Sequence, residues 1–154
     1  MATGWLEYLR QARWFAGKDE GRLTGIEPLG WYTPAGSLPA VRSELARVAR
    51  VDGEETYHLL VGYLTPGTAE SDAVVDRIEL DGFGEVDAVD APASPTAMGA
   101  LIEALRTPGP SSPAATGAQG AAVLQGTGSW SPVRPLTAEQ SNSAVIAGDA
   151  LVKI

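Results

Sequence analysis

Cysteine is missing from this sequence altogether, which rules out a disulfide framework and any thiolate chemistry, nucleophilic or metal-binding. Histidine occurs once, as His58. With no second histidine and no carboxylate at metal-ligand spacing, it reads as a sheet-surface residue rather than a ligand or proton shuttle. Basic residues are scarce, 11 against 19 acidic ones, for a net charge of −8. Nucleic-acid binding rests on neutralising phosphates with Lys and Arg, so that class is excluded, and adhesion to anionic lipid is disfavoured equally. Apolar runs are short. None approaches the roughly 18 residues of a membrane span, and the amino terminus lacks the apolar region of a signal peptide. The expectation is a cytoplasmic protein that binds neither nucleic acid nor membrane.

What is present suffices for a folded core. Hydrophobic residues make up 44% of 154 positions, ordinary for a globular chain of one domain or a small domain plus part of another. Residues 3–15 (TGWLEYLRQARWF) predict a first helix. Thr3 is the N-cap candidate, and Trp5, Leu6, Leu9 and Ala12 form an apolar stripe at helical spacing, with Gly17 as the stop. RLTGIEPLGWYT, AVRSELARVARV and EETYHLLVGYL follow, each rich in strand formers and separated by turn residues. Asp52-Gly53 marks a hairpin between the last two. In the strand after it, Tyr57, Leu59, Val61 and Tyr63 share one face, while Leu60 and Leu64 make the other partly apolar. That pattern predicts a strand inside an antiparallel sheet packed against the first helix.

From 70 to 90 the chain is acidic, with eight carboxylates against Arg77 alone. The choice there lies between a divalent-cation site and a solvated edge and loop; without EF-hand spacing the second is the better reading. Ser94-Pro95 opens a second helix whose Met98, Leu101, Ile102 and Leu105 recur as a core face. Residues 107–120 (TPGPSSPAATGAQG) read as a mobile linker. AAVLQG, SPVRPL, SAVIAG and ALVKI are four further strand pieces, and no internal repeat is visible. Trp5, Trp31 and Trp130 are expected as core or interface anchors.

The last twenty residues carry the chemistry. A strand over 133–136 leads into a polar loop over 137–143, a second strand returns over 144–147, and Gly148-Asp149 turns into a third strand bearing Lys153. A loop lying over a sheet in this way can offer backbone and side-chain donors from Gln140, Ser141, Asn142 and Ser143 to phosphates, with Lys153 reaching the same groups. The alternative is a lysine that snorkels from a strand end.

Two stretches, RQARWFAGKDEGR near the start and EQSNSAVIAGDALVKI at the end, resemble the bacterial maltokinase family and its glucosamine kinase relatives. Those enzymes look like aminoglycoside phosphotransferases with an added amino-terminal cap. Arg13 to Lys18 matches the family's opening pattern, from which Asp19-Glu20-Gly21-Arg22 departs by an insertion; Glu139 to Ser143 meets its second pattern. The resemblance implies an α+β chain: a cystatin-like cap over 1–90, a helix packed on an antiparallel sheet, followed over 91–154 by the incomplete beginning of a kinase-like amino-terminal lobe. It implies an ATP- and Mg²⁺-dependent sugar kinase, making maltose 1-phosphate or glucosamine 6-phosphate. Lys153, Gln140, Ser141, Asn142 and Ser143 would hold the nucleotide. The catalytic residues and metal ligands would lie outside a chain expected to be an inactive fragment. Arg13, Trp14, Phe15 and Lys18 are read as structural, the aromatics buried on the sheet and the cations complementing the helix end. The competing expectation is a non-catalytic module that docks a trehalose synthase-type partner.

Overall fold

The computed structural model describes residues 3–12, 15, 21–34, 36–106, 128–136 and 143–154. The first helix, α1 (Thr3–Gln11), is one turn shorter than its sequence pattern. It tightens at the end, where the Ala12 N–H bonds the carbonyls of both Tyr8 and Leu9 at 3.1 and 2.9 Å, a common way to satisfy last-turn carbonyls. The chain then bends so that Phe15 enters the core, its N–H on the Ala12 carbonyl. Phe15 is thus buried as expected, whereas Gly17, Arg13, Trp14 and Lys18 lie outside the described residues.

Five antiparallel strands follow: β1 (Arg22–Trp31), β2 (Ala40–Arg50), β3 (Gly53–Leu64), β4 (Val74–Leu80) and β5 (Gly84–Asp90). Their order is β1-β2-β3-β5-β4, so β1 and β4 are the edges. Pro28 sits in β1 beside a register shift, where a strand can lack an N–H without losing an inner ladder bond. Arg50 pairs with Gly53, which puts the hairpin turn at Val51-Asp52, one residue before the expected pair.

Side-chain alternation divides this sheet into two faces. Tyr57, Leu59, Val61 and Tyr63 point to the α1 side, where Trp5, Leu9 and Phe15 pack among them. Leu60 and Leu64 point to the other side. The acidic stretch is not a solvated edge throughout. It forms the β4–β5 hairpin, and Asp87 and Asp90 are buried.

A 3-10 turn (Ala91–Ala93) leads into α2 (Pro95–Arg106). The Ser94 hydroxyl accepts the Ala97 N–H at 3.2 Å, capping the helix as the sequence predicts. Glu70 accepts hydroxyl protons from Ser94 (2.7 Å) and Thr96 (2.9 Å) at that positive helix end. Burial acts to raise the Glu70 pKa, but these bonds outweigh it and the net shift is downward. A Cβ placed on Gly62 would come within 2.6 Å of Ala97 Cβ and 2.7 Å of Val89 Cγ2, so only glycine lets α2 lie this close to the sheet.

Beyond α2, β6 (Val133–Pro135), β7 (Ala144–Ala147) and β8 (Ala150–Lys153) form a second antiparallel sheet in that order. Val133, Val145, Val152 and Ile154 join Met98 and Leu101 in one apolar cluster. The strand pattern at AAVLQG and the linker at 107–120 lie outside the described residues.

Candidate functional site

The three-stranded sheet places two of the residues the sequence singled out. Lys153 pairs with Ala144, and Leu151 with Ile146. Val145 and Val152, paired with each other, turn toward α2. Alternation therefore sets Lys153, Leu151, Ala144 and Ile146 on the opposite face. Lys153 is exposed there, and Leu151 is 64% exposed. Among the described residues Lys153 forms no ion pair. Ser143 precedes β7 directly, and its carbonyl accepts the Ile154 N–H at 2.9 Å, so the end of the 137–143 segment lies at the same end of the sheet as Lys153. The tight turn between β7 and β8 depends on Gly148, whose φ of 56° favours glycine and whose added Cβ would lie 2.0 Å from the Ser129 carbonyl oxygen. Gln140, Ser141 and Asn142 lie outside the described residues.

Ser143 also lines a cavity of about 210 Å³ with His58, Leu60 and Asp90, where the two sheets meet. Asp90 accepts a short hydrogen bond from the Tyr8 hydroxyl of α1. Burial raises the Asp90 pKa from 3.8 to about 6, against the opposing effect of that bond. Burial also lifts the Tyr8 phenol, with the Asp90 charge adding to it. His58 lies 2.5 Å from the Ser43 hydroxyl, and desolvation lowers its pKa.

A larger cavity, about 780 Å³, opens on the α1 side of the five-stranded sheet. Its floor carries Arg42 and Glu44, neighbours on the inward face of β2, and the hydroxyl end of Tyr63 on β3. Glu44 is only 3% exposed. Its Oε1 takes the Arg42 Nε–H at 2.8 Å and the Tyr63 O–H in a shorter bond. The Arg42 Nη2 group also donates to the Tyr63 oxygen at 2.8 Å. The Arg42 guanidinium stacks over Trp31 at 4.7 Å and Tyr63 at 5.1 Å, and Phe83 meets Trp31 at 5.3 Å between ring centres. Burial and the adjacent Glu44 charge push the Tyr63 pKa up, so it remains a donor. Sequence reasoning did not find this cluster. The available signal was the pair Arg42 and Glu44 at a spacing of two, on the same strand face as Ala40, Ala46 and Val48, which are fully buried. Two charges on an inward face need partners.

A helix laid on a curled five-stranded antiparallel sheet, joined through α2 to a smaller sheet, makes this an α+β chain with a cap-like first part. The chain belongs to the maltokinase N-terminal cap domain family, whose model matches residues 8–93, from within α1 to the end of the 3-10 turn. No curated protein matches the chain, and no solved structure does.

Proposed function

We propose that this chain supplies the cap and the nucleotide-gripping part of an ATP-dependent sugar kinase, with residues 1–90 as the cap and 91–154 opening the kinase lobe. The observation that carries this reading is the register of the small sheet. It sets Lys153, without an ion pair among the described residues, opposite Ala144 and next to Ser143, on a face that also presents Ile146 and Leu151. A strand lysine beside a polar loop suits phosphate, and an exposed Leu151 two residues back, with the half-buried Ile146 beside it, suits the flat face of a base.

The residues present fit a nucleotide in that sense: an ammonium free of protein anions among the described residues, next to uncovered apolar surface. ATP, when bound, supplies the phosphoryl group that passes to a sugar hydroxyl. Lys153 would hold the non-transferred phosphates and offset their charge, while Ser143 and the neighbouring Gln140, Ser141 and Asn142 would add hydrogen-bond donors. The catalytic base and Mg²⁺ ligands belong, in this reading, to a second lobe outside these 154 residues, so the chain alone is expected to be inactive. The family's name makes maltose the first acceptor to test, with glucosamine beside it.

The test is a phosphoryl-transfer assay on the full reading frame with ATP, Mg²⁺ and both sugars, comparing Lys153→Ala. Loss of a group that stabilises phosphoryl charge is expected to lower kcat/KM on the order of 10²–10³-fold. Turnover indifferent to Lys153, or no turnover on any sugar, would overturn the proposal.

A further inference from the structure

We infer that the concave side of the cap carries a saccharide-binding pocket of its own, separate from the Lys153 face and built on Arg42 and Glu44. The cavity of about 780 Å³ lies within the range of small-molecule sites, which combine apolar walls with a few fixed polar groups. Those polar groups define the ligand. All the bonds that Glu44 receives end on Oε1, and those of Arg42 leave from Nε and Nη2. Among the described residues nothing bonds Glu44 Oε2 or Arg42 Nη1. The floor thus sets an open carboxylate acceptor close to open guanidinium donors.

Such a pair selects by charge. An anion that approached Arg42 would meet Glu44, with Glu79 and Asp81 also lining the cavity. A cation meets Glu79 and Asp81 besides the Arg42–Glu44 pair, so a positive charge is tolerated where a negative one is repelled. A hydroxyl donates and accepts at once, and neighbouring hydroxyls on a ring can engage both groups together. Trp31, Tyr63 and Phe83, with Ile26 and Ile78, supply apolar surface suited to the C–H faces of a pyranose. A polyhydroxylated ring with apolar faces and no negative charge is the chemical class that satisfies all of these features.

A purely structural account of the floor is weaker. A buried ion pair contributes little net stability compared with apolar side chains of similar size, and here it sits under an open cavity rather than sealed in the core. The inference does not depend on the kinase reading, because it concerns binding without nucleotide.

The experiment is titration of the 154-residue chain with maltose and maltotetraose, followed by saturation-transfer NMR and calorimetry without ATP. Glucosamine and glucose 6-phosphate serve as the cationic and anionic comparisons. Saccharide binding is expected, with the neutral sugars and glucosamine favoured over the anionic probe. Glu44→Gln, which replaces the open acceptor with a donor or leaves it uncharged, should weaken binding about tenfold or more. Phe83→Ala, in the β4–β5 turn and outside the buried network, should weaken it severalfold and keeps the test decisive if Glu44→Gln fails to fold. Val51→Thr, at a hairpin tip 89% exposed, should leave it unchanged. No binding by either neutral saccharide, tighter binding of glucose 6-phosphate, or binding insensitive to Phe83 would overturn the inference.

Discussion

The five-stranded sheet has helices or strands against both faces, whereas the three-stranded sheet is covered on one face only among the described residues. Their polar groups differ accordingly. Inside the larger sheet, buried charge comes with a partner: Glu44 with Arg42 and Tyr63, Asp87 with Arg77 at 2.6 Å and the Gly67 N–H at 2.7 Å, and Asp90 with Tyr8. Each pairing offsets a desolvation cost that an isolated ion could not bear. On the smaller sheet Lys153 stands without an ion pair among the described residues, and as an exposed side chain it is stabilised by water instead. An unpaired lysine is therefore unremarkable by itself. Its meaning comes from Leu151 and Ile146, apolar side chains that share its face with nothing described above them.

The contrast is most directly tested where the larger sheet has no room. Gly62→Val would drive a branched side chain into Ala97 and Val89, both fully buried. Neither α2 nor β5 can retreat without opening the apolar cluster behind it, and overpacking of this kind is expected to cost about 3 kcal/mol. Denaturant unfolding of the variant would measure it. A loss below about 1 kcal/mol would mean that α2 is not seated on the sheet and that this face is less closed than described.

The second effect is smaller and depends on pH. Asp90 titrates at about 6 in the folded chain against 3.8 ordinarily, so the folded state binds its proton more tightly than the unfolded state does. Its contribution to stability is complete below 3.8 and is lost as pH rises through 6. Asp90→Asn keeps an acceptor for Tyr8 and cannot ionise. It should match the parent below 3.8 and exceed it by about 3 kcal/mol well above 6. Melting curves across that window would show the gap opening with pH. A pH-independent difference between the two proteins would show that Asp90 is not held in a desolvated site. Because His58 shares a cavity with Asp90 and its own pKa is lowered, the comparison needs His58 unchanged in both proteins.

The sequence pattern of β3 was enough to assign its two faces, because an odd–even alternation of apolar residues has only one meaning once the strand is covered on both sides. The second helix was equally plain, from Ser94 and Pro95 at its start to the Met98, Leu101 and Ile102 face. The hairpin was placed one residue late, since Asp-Gly is a strong turn signal but Gly53 pairs as the first residue of β3. The β4–β5 hairpin went unrecognised for a different reason. Its carboxylates suggested solvent, and what allows Asp90 to be buried is Tyr8, 82 positions away. No local pattern displays such a partner. The cap cavity was hidden in the same way, assembled from β1, β2, β3 and the β4–β5 turn. Of the residues that the sequence resemblance assigned to a nucleotide, Lys153 and Ser143 are brought to one end of a sheet, because that arrangement needs only a hairpin and a tight turn.

The smallest expected effect on folding is also the one that bears most directly on function. Leu151 is mostly exposed on β8, and threonine is a good strand former. Leu151→Thr should therefore change stability by no more than about 0.5 kcal/mol, in contrast to Gly62→Val. In the full reading frame the same substitution removes apolar surface beside Lys153. If that surface holds a base, KM for ATP should rise about fivefold while the sugar KM stays put, the equivalent of roughly 1 kcal/mol of apolar contact. A folding loss above about 2 kcal/mol would show that Leu151 is covered, ending the contrast between the sheets. Unchanged stability together with an unchanged KM for ATP would keep the contrast but remove the nucleotide from this face, leaving Lys153 as a solvated strand-end lysine.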